Sequence, residues 1–322
     1  MKHYKQLAYE QRCQIEAFKK SGFTQVEIAA AVGVSQSTIS RELSRNTGLR
    51  GYRYKQAHNT ALSRRKEAKK ATKMTPHLIN LVESLLAEKW SPEQISGWLL
   101  KEHMILLSHE RIYQHVWADK FSGGELFKNL RRHGRKYHKR SNCKTNRGQI
   151  KNRVSIDERP VEVDAKSRVG DWEIDTVIGK GHSGALVTIV ERATQFTLSA
   201  QLNDKSAEAV TEATIALLKP YTMALHTITA DNGKEFAYHE RITEELGAPV
   251  YFAHPYHSWE RGLNENTNGL LRQYWPKSTD FKKVTQEEVD AVVCDLNNRP
   301  RKTLGFENPT DLMQNYLSAQ AA

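Results

Sequence analysis

The fold of the C-terminal half turns on two segments, Leu225-His226-Thr227-Ile228-Thr229-Ala230-Asp231-Asn232-Gly233 and Gly262-Leu263-Asn264-Glu265-Asn266-Thr267-Asn268-Gly269-Leu270-Leu271-Arg272. The first is an apolar, β-branched run closed by an aspartate and an Asn-Gly turn, which reads as a strand and its exit. The second reads as a helix with Leu263, Thr267, Leu270, Leu271 and then Tyr274 on one face. At about 100° per residue that leaves Glu265 on the opposite side, with Arg261, Asn268 and Arg272. A carboxylate thus closes a strand, a second rides on a helix, and 33 residues lie between them.

Upstream, Gly170-Asp171-Trp172-Glu173-Ile174-Asp175-Thr176 alternates apolar and acidic residues, so a strand there puts Asp171, Glu173 and Asp175 on one side. Gly179 to Gly184 reads as a hairpin into a strand over 185–191, and Phe196 to Leu202 makes a third. A helix from Ser206 to Leu218, the strand ending at Asp231, a helix carrying Ile242 and Leu246, a short strand over 249–252 and the Glu265 helix follow. Three antiparallel strands, extended by strands reached through helices, form the ribonuclease H-like α/β arrangement. An Asp-Asn-Gly on its own is usually only a turn, but active centres of open α/β sheets gather at strand ends, where Asp231 falls. Three converging carboxylates would hold magnesium, which prefers hard oxygen ligands. Two such ions roughly 3.5–4 Å apart serve displacement at a phosphodiester.

The N-terminal half has another character. The 322-residue chain carries a net charge of +11, but residues 1–160 hold 32 Lys and Arg against 14 Asp and Glu, and the remainder 16 against 23. Such asymmetry joins a polyanion-binding region to a different kind of domain. Thr24 to Leu43 reads as helix, turn at Gly33, and a second helix capped by Ser35 with Ile39 and Leu43 inward. Gln36, Ser37, Thr38, Ser40 and Arg41 are left on open faces, and short polar side chains near the start of such a helix suit base edges in the major groove.

The expected organisation is a helix-turn-helix domain over 1–50 and a basic helical linker over 51–74. A second helical pair occupies 75–120, a basic linker 121–160, and the ribonuclease H-like domain with C-terminal helices 161–322. In the second pair Ser91-Pro92-Glu93-Gln94 starts a helix with a capping box, Ile95, Trp98 and Leu99 form one edge, and Ile112, Val116 and Trp117 point inward from the next helix. Arg111, Gln114 and His115 are then free to face DNA, unless the pair is a plain helical core element. Eleven Lys or Arg lie between 128 and 153, Arg131 and Arg132 among them, with no acid to interrupt them. That is a basic linker expected to order on DNA.

Cys13, Cys143 and Cys294 are far apart and form no CxxC pair, so neither a disulfide framework nor a cysteine zinc site is expected. No apolar run approaches the ~18 residues of a membrane span, and the N-terminus lacks a signal-peptide h-region. A cytoplasmic protein acting at the nucleoid is the natural expectation. His254 and His257, three apart, could share an ion, but no cysteine partners follow, and His257 reads better as a phosphate or water contact.

Four motifs carry a family resemblance: Gly170-Asp171-Trp172-Glu173, Thr229-Ala230-Asp231-Asn232-Gly233-Lys234-Glu235-Phe236, the run from Trp259-Glu260-Arg261-Gly262 to Tyr274-Trp275-Pro276-Lys277, and Leu296-Asn297-Asn298-Arg299-Pro300-Arg301-Lys302. Together they resemble bacterial insertion-sequence transposases of the insertion-sequence-thirty family, within the retroviral integrase superfamily, over essentially the whole chain. The resemblance implies an Asp, Asp, Glu set of catalytic metal ligands, falling on Asp175, Asp231 and Glu265, with Mg2+ or Mn2+ as cofactor. Asp175 is preferred to Asp171 and Glu173 because a tryptophan three residues before it and a threonine after it look like the first-strand motif of integrases. It further implies terminal inverted repeats bound by the N-terminal half, target DNA as second substrate, and at least a dimer on paired ends. The function expected is DNA cleavage and strand transfer, with Arg261, Asn268 and Arg272 contacting the DNA strand. The alternatives are a DNA-binding regulator with an inactive integrase-like domain, and a nuclease that only hydrolyses.

Overall fold

The structure, a computed structural model, describes residues 6–68, 74–132, 150–255 and 257–321. Part of the expected basic linker, residues 133–149 with Cys143, lies outside them. The chain divides into two units, Met1–Lys73 and Met74–Ala322.

The first unit holds α1 (Tyr9–Lys20), α2 (Gln25–Val32), α3 (Gln36–Asn46) and α4 (Tyr54–Glu67). Thr24 and Glu27 form a capping box that starts α2, and Gly33 ends it at φ 73°, a left-handed conformation that costs glycine little. Ser35 then caps α3 through the Thr38 amide. Ile15, Ile28, Ile39 and Leu43 close one core. Inside it Arg12 donates to Glu42 at 2.8 Å, and the Tyr52 hydroxyl donates to the same carboxylate at 3.1 Å. Residues 54–67, expected as linker, form a packed helix: Ala57 is fully buried and joins that core. A lone small side chain was a weak signal for burial in so basic a helix, yet it is what lets the helix lie close.

The second unit opens with α5 (Pro76–Ala87), α6 (Pro92–His103) and α7 (His109–Phe121). Ser91 and Gln94 form the expected capping box before Pro92. Val82, Leu86, Ile95, Leu99, Ile112 and Val116 make a core of their own. Trp117, expected inward, is instead exposed beneath the Lys120 ammonium. The pair is docked on the C-terminal segment: Gln94 donates to the Pro300 carbonyl at 2.8 Å, and a Cβ on Gly97 would stand 2.1 Å from the Phe306 ring.

The α/β part contains β1 (Val154–Ser155), α8 (Glu162–Ala165), β2 (Asp171–Ile178), β3 (Ala185–Glu191), β4 (Thr197–Leu202) and α9 (Ala207–Leu218). It continues with β5 (Thr227–Ala230), α10 (His239–Leu246), β6 (Val250–Phe252), α11 (Gly262–Tyr274), α12 (Gln286–Asn297) and α13 (Pro309–Ala321). The sheet order is β1-β6-β5-β2-β3-β4, with β2, β3 and β4 antiparallel and β2, β5, β6 and β1 parallel. This is the ribonuclease H-like arrangement expected from the element order, with one short strand added: β1 pairs with β6 and so belongs to the sheet, although it precedes the expected boundary at 161. On one face Trp172, Ile174, Ile189 and Ile228 pack with residues of α9 and α10. On the other, Val177 and Leu186 pack with Leu271 of α11 and with Val289, Val293 and Leu296 of α12.

Candidate functional site

Strand register brings two of the candidate carboxylates together. In the parallel pair β2–β5, Asp171 stands beside Thr227 and Glu173 beside Thr229. The same offset carried two residues further sets Asp175, within β2, beside Asp231, just past the C-terminal end of β5. The alternation along β2 puts Asp171, Glu173 and Asp175 on the face covered by α11. Their environments separate them sharply.

Asp171 is fully buried, accepting from Arg168 at 2.8 and 3.0 Å and from the Thr227 hydroxyl at 2.7 Å. Glu173, 1% exposed, pairs with Arg192 at 2.6 Å and accepts the backbone amide of Asn264 at 3.1 Å. That amide lies in the first turn of α11, so Glu173 anchors the positive end of the helix dipole. Both acids are consumed in holding the sheet to its neighbours.

Asp175 is half-buried and differently engaged. One oxygen accepts the Thr176 amide at 2.9 Å, the other the Asn268 side chain at 2.9 Å, and Asn268 is steadied by the Thr188 hydroxyl at 2.9 Å. Asp231 turns one oxygen back on the Gly233 amide at 2.7 Å, closing an Asx turn after β5. The Arg261 guanidinium lies between the two, 3.4 Å from Asp175 and 3.5 Å from Asp231. Burial pushes the Asp175 carboxyl up, Arg261 pulls it down, and the Asp231 charge pushes it up again. The two carboxylates therefore feel one another and already share one cation.

Glu265 is exposed on α11, four residues after Arg261 and three before Asn268, which sets it on the same helix face as both. The three carboxylates are not drawn tight: among the described residues only His254, His257 and Glu260 place three ligand atoms within 4.8 Å of one another. The donor set still suits a divalent cation, since two hard-oxygen side chains point at one positive charge. The buried face of α11 is Asn264, Thr267 and Leu271, with Leu263 only half-buried, so the helix is turned from the expected Leu263 face. The bond from Asn264 to Glu173 accounts for the turn.

The expected ridge of Arg261, Asn268 and Arg272 does lie on the Glu265 side, but it is turned toward the sheet. Arg261 and Asn268 hold the aspartates, and Arg272 donates to the Ile178 carbonyl at 2.8 Å. Arg131 also reaches α11, donating to the Asn266 side chain at 2.9 Å and carbonyl at 3.1 Å. Arg132 is exposed. Sequence reasoning missed the anchoring by Arg192 and the support from Thr188, because long-range partners leave no periodicity to read.

In the first unit Gln36, Ser37 and Arg41 are exposed on α3, and Thr38 and Ser40 are half-buried. Arg41 folds back onto Ser37, with both bonds at 3.0 Å. In α7 Arg111 and Gln114 are exposed and bonded to each other at 3.3 Å, while His115 is tied to Glu83 at 2.8 Å and so faces α5. None of the helices of the described residues is long and apolar enough to cross a membrane.

A helix-turn-helix domain family matches residues 3–46. The chain is 44% identical to the transposase for insertion sequence element IS4351 of Bacteroides fragilis, covering 98% of this chain and 97% of that one. It is 36% identical to the transposase for insertion sequence element IS1086 of Cupriavidus metallidurans, over 98% and 96% of the two chains. Identity is 37% to transposase InsI for insertion sequence element IS30A of Escherichia coli K12, over 96% and 83%. Among solved structures, the catalytic core domain of BIV integrase is similar at 18% identity and a TM-score of 0.38, covering 47% of this chain and 98% of that one.

Proposed function

The chain belongs to the insertion-sequence transposases that it matches over nearly its whole length, and on that premise we propose that it cuts and joins DNA at a metal centre formed by Asp175, Asp231 and Glu265. The observation that carries this reading is the pair of carboxylates, Asp175 within β2 and Asp231 just past the end of β5, with one cation between them. Asp171 and Glu173, the other candidates on that strand face, are committed to Arg168 and Arg192. Asp175 alone of the three faces Asp231, which supports its choice as the first ligand.

Asp175, Asp231 and Glu265 would hold Mg2+ or Mn2+, which supplies a hydroxyl nucleophile at neutral pH and neutralises the departing alkoxide. The chain's own residues prepare the ground. Asn268 and the Thr176 amide fix the orientation of the Asp175 carboxylate. The Gly233 amide does the same for Asp231. Arg261, which lies between the two aspartates, would with a metal bound there be free to meet a DNA phosphate at the same edge. Arg272, Arg131 and Arg132 add positive charge along α11 and before the sheet, so binding should weaken steeply with salt.

The exposed face of α3, with Gln36, Ser37, Thr38, Ser40 and Arg41, reads the terminal inverted repeats, and Arg111 of α7 adds a DNA contact of its own. Two element ends are joined by at least two protomers. Strand transfer tests this reading directly. Wild-type protein, Mg2+ and a labelled terminal-repeat duplex should yield labelled strand covalently joined to target DNA. Hydrolysed ends with no joined product would leave only a nuclease.

Arg41→Ala tests recognition. Loss of a base-edge contact costs about 1–3 kcal/mol of discrimination, so affinity for the terminal repeat should drop about tenfold or more while affinity for random duplex barely moves. Equal losses on both duplexes would reduce Arg41 to a phosphate contact.

A further inference from the structure

A second cluster of ligating side chains stands apart from the aspartates, in the segment joining β6 to α11. His254 Nδ1 lies 2.9 Å from Glu260 Oε1, and His257 Nδ1 lies 3.1 Å from that same oxygen. The remaining oxygen of Glu260 accepts the His254 amide at 2.8 Å. On its far side, His254 Nε2 meets Asp157 Oδ2 at 3.0 Å. All three ligand atoms, two imidazole nitrogens and one carboxylate oxygen, fall within 4.8 Å of one another.

We propose that His254, His257 and Glu260 form a zinc-class divalent metal site, separate from the Asp175–Asp231 centre, with Asp157 orienting His254 from outside it. The geometry supports this in three ways. A carboxylate only accepts, so one oxygen facing two imidazole nitrogens needs either two N–H donors or a cation among them. With metal–ligand bonds of about 2.0–2.2 Å, tetrahedral neighbours stand about 3.3 Å apart, close to the 2.9 and 3.1 Å observed. The bond from Nε2 to Asp157 places the proton of a neutral His254 on Nε2 and turns the Nδ1 lone pair inward, the carboxylate–histidine–metal pattern.

Asp157 is itself held by Ser155 at 2.8 Å. Two imidazoles and one carboxylate suit zinc or cobalt, whereas the all-oxygen aspartate pair suits magnesium. A water would complete the tetrahedron, and the half-exposed histidines leave it a path. Without metal the two flanking carboxylates hold His254 protonated more readily than usual. Metal binding therefore releases protons and weakens at acid pH.

The consequence is positional. Glu260 directly precedes Arg261, and Asp157 belongs to the turn after β1. A metal here would staple the start of α11, and with it Arg261 and Glu265, to the edge of the sheet. No cysteine follows His254 and His257 closely in the sequence; the third ligand of the proposed site is a glutamate three residues after His257, brought to them only once the turn is folded.

The test uses the full chain carrying Asp231→Asn, so that the aspartate centre does not compete, titrated with Co2+ alone and, separately, dialysed after exposure to Zn2+. The parent should show the visible bands of tetrahedral cobalt and retain one equivalent of zinc. Asp157→Asn should weaken binding about tenfold to a hundredfold, and His257→Ala or Glu260→Gln by more, with far-UV circular dichroism unchanged. No retained zinc in the parent, or equal retention in all variants, would overturn the site and leave a hydrogen-bonded imidazolium between two carboxylates. Because the readout is metal content and spectrum, a failed strand-transfer assay would not be mistaken for failure here.

Discussion

Replacing Asp231 by Asn should lower both cleavage of terminal-repeat DNA and strand transfer by about a thousandfold or more, while the affinity for that DNA stays at the wild-type level. The magnitude follows from what a metal supplies in such a site, several kcal/mol of charge stabilisation, at 1.36 kcal/mol per tenfold. Binding is spared because α3, the helix proposed to read the terminal repeat, lies in the first unit and Asp231 in the second. Asp175→Asn should match it in the assay and add a second signature in stability. Burial raises the Asp175 carboxyl in the folded chain. A carboxyl raised on folding contributes most when protonated, below its unfolded value, and loses that contribution as pH rises through the folded one. At pH 7, then, the metal-free Asp175→Asn protein should melt at or above the wild-type temperature. Cleavage at wild-type rates by either variant, with binding intact, would remove these residues from the metal site.

Arg192→Ala should do the reverse, unfolding the α/β part before it touches the chemistry. Arg192 and Glu173 are 5% and 1% exposed as side chains and 2.6 Å apart. Deleting one partner of a buried pair leaves an uncompensated charge and costs about 3–5 kcal/mol. In a unit of this size that is a drop in melting temperature of about 10 °C. The same change frees the carboxylate that accepts the Asn264 amide, so the start of α11 should lose hydrogen-exchange protection first. A wild-type melting curve for Arg192→Ala would mean that Glu173 is not the structural anchor, and would reopen it as a metal ligand. The two experiments separate the acids of one strand face: one kind of variant is stable and inactive, the other unstable.

The contrast shows how far a strand pattern reaches. Alternation in Asp171-Trp172-Glu173-Ile174-Asp175 places three acids on one side of β2 but treats them alike. What tells them apart are Arg168, three residues before Asp171, and Arg192 and Arg261, which are brought in from other stretches of chain. The helical face of α11 was legible in the same partial way. Glu265, Arg261 and Asn268 do share a side, but the bond from Asn264 to Glu173 turns the helix so that Arg261 and Asn268 reach the sheet edge while Glu265 stays exposed. That α4 is helical was legible, but its packing into the core was not, since charge dominates a segment whose only buried side chain is an alanine.

Local signals in this sequence were enough for the elements and their kind. Caps at Ser35 and Ser91, the turn at Gly33, the period of the strands and the order of strands and helices all act over a few residues, and so are written in the chain itself. The motifs at Asp231 and Glu265 likewise announce the family. Tertiary structure alone showed which acids are spent on buried ion pairs and which stand beside Arg261, and it alone drew His254, His257, Glu260 and Asp157 together. The reason is physical: the state of a carboxylate depends on its desolvation and on the charges within a few ångströms. Those neighbours come from strand register and helix rotation, which link residues far apart in sequence.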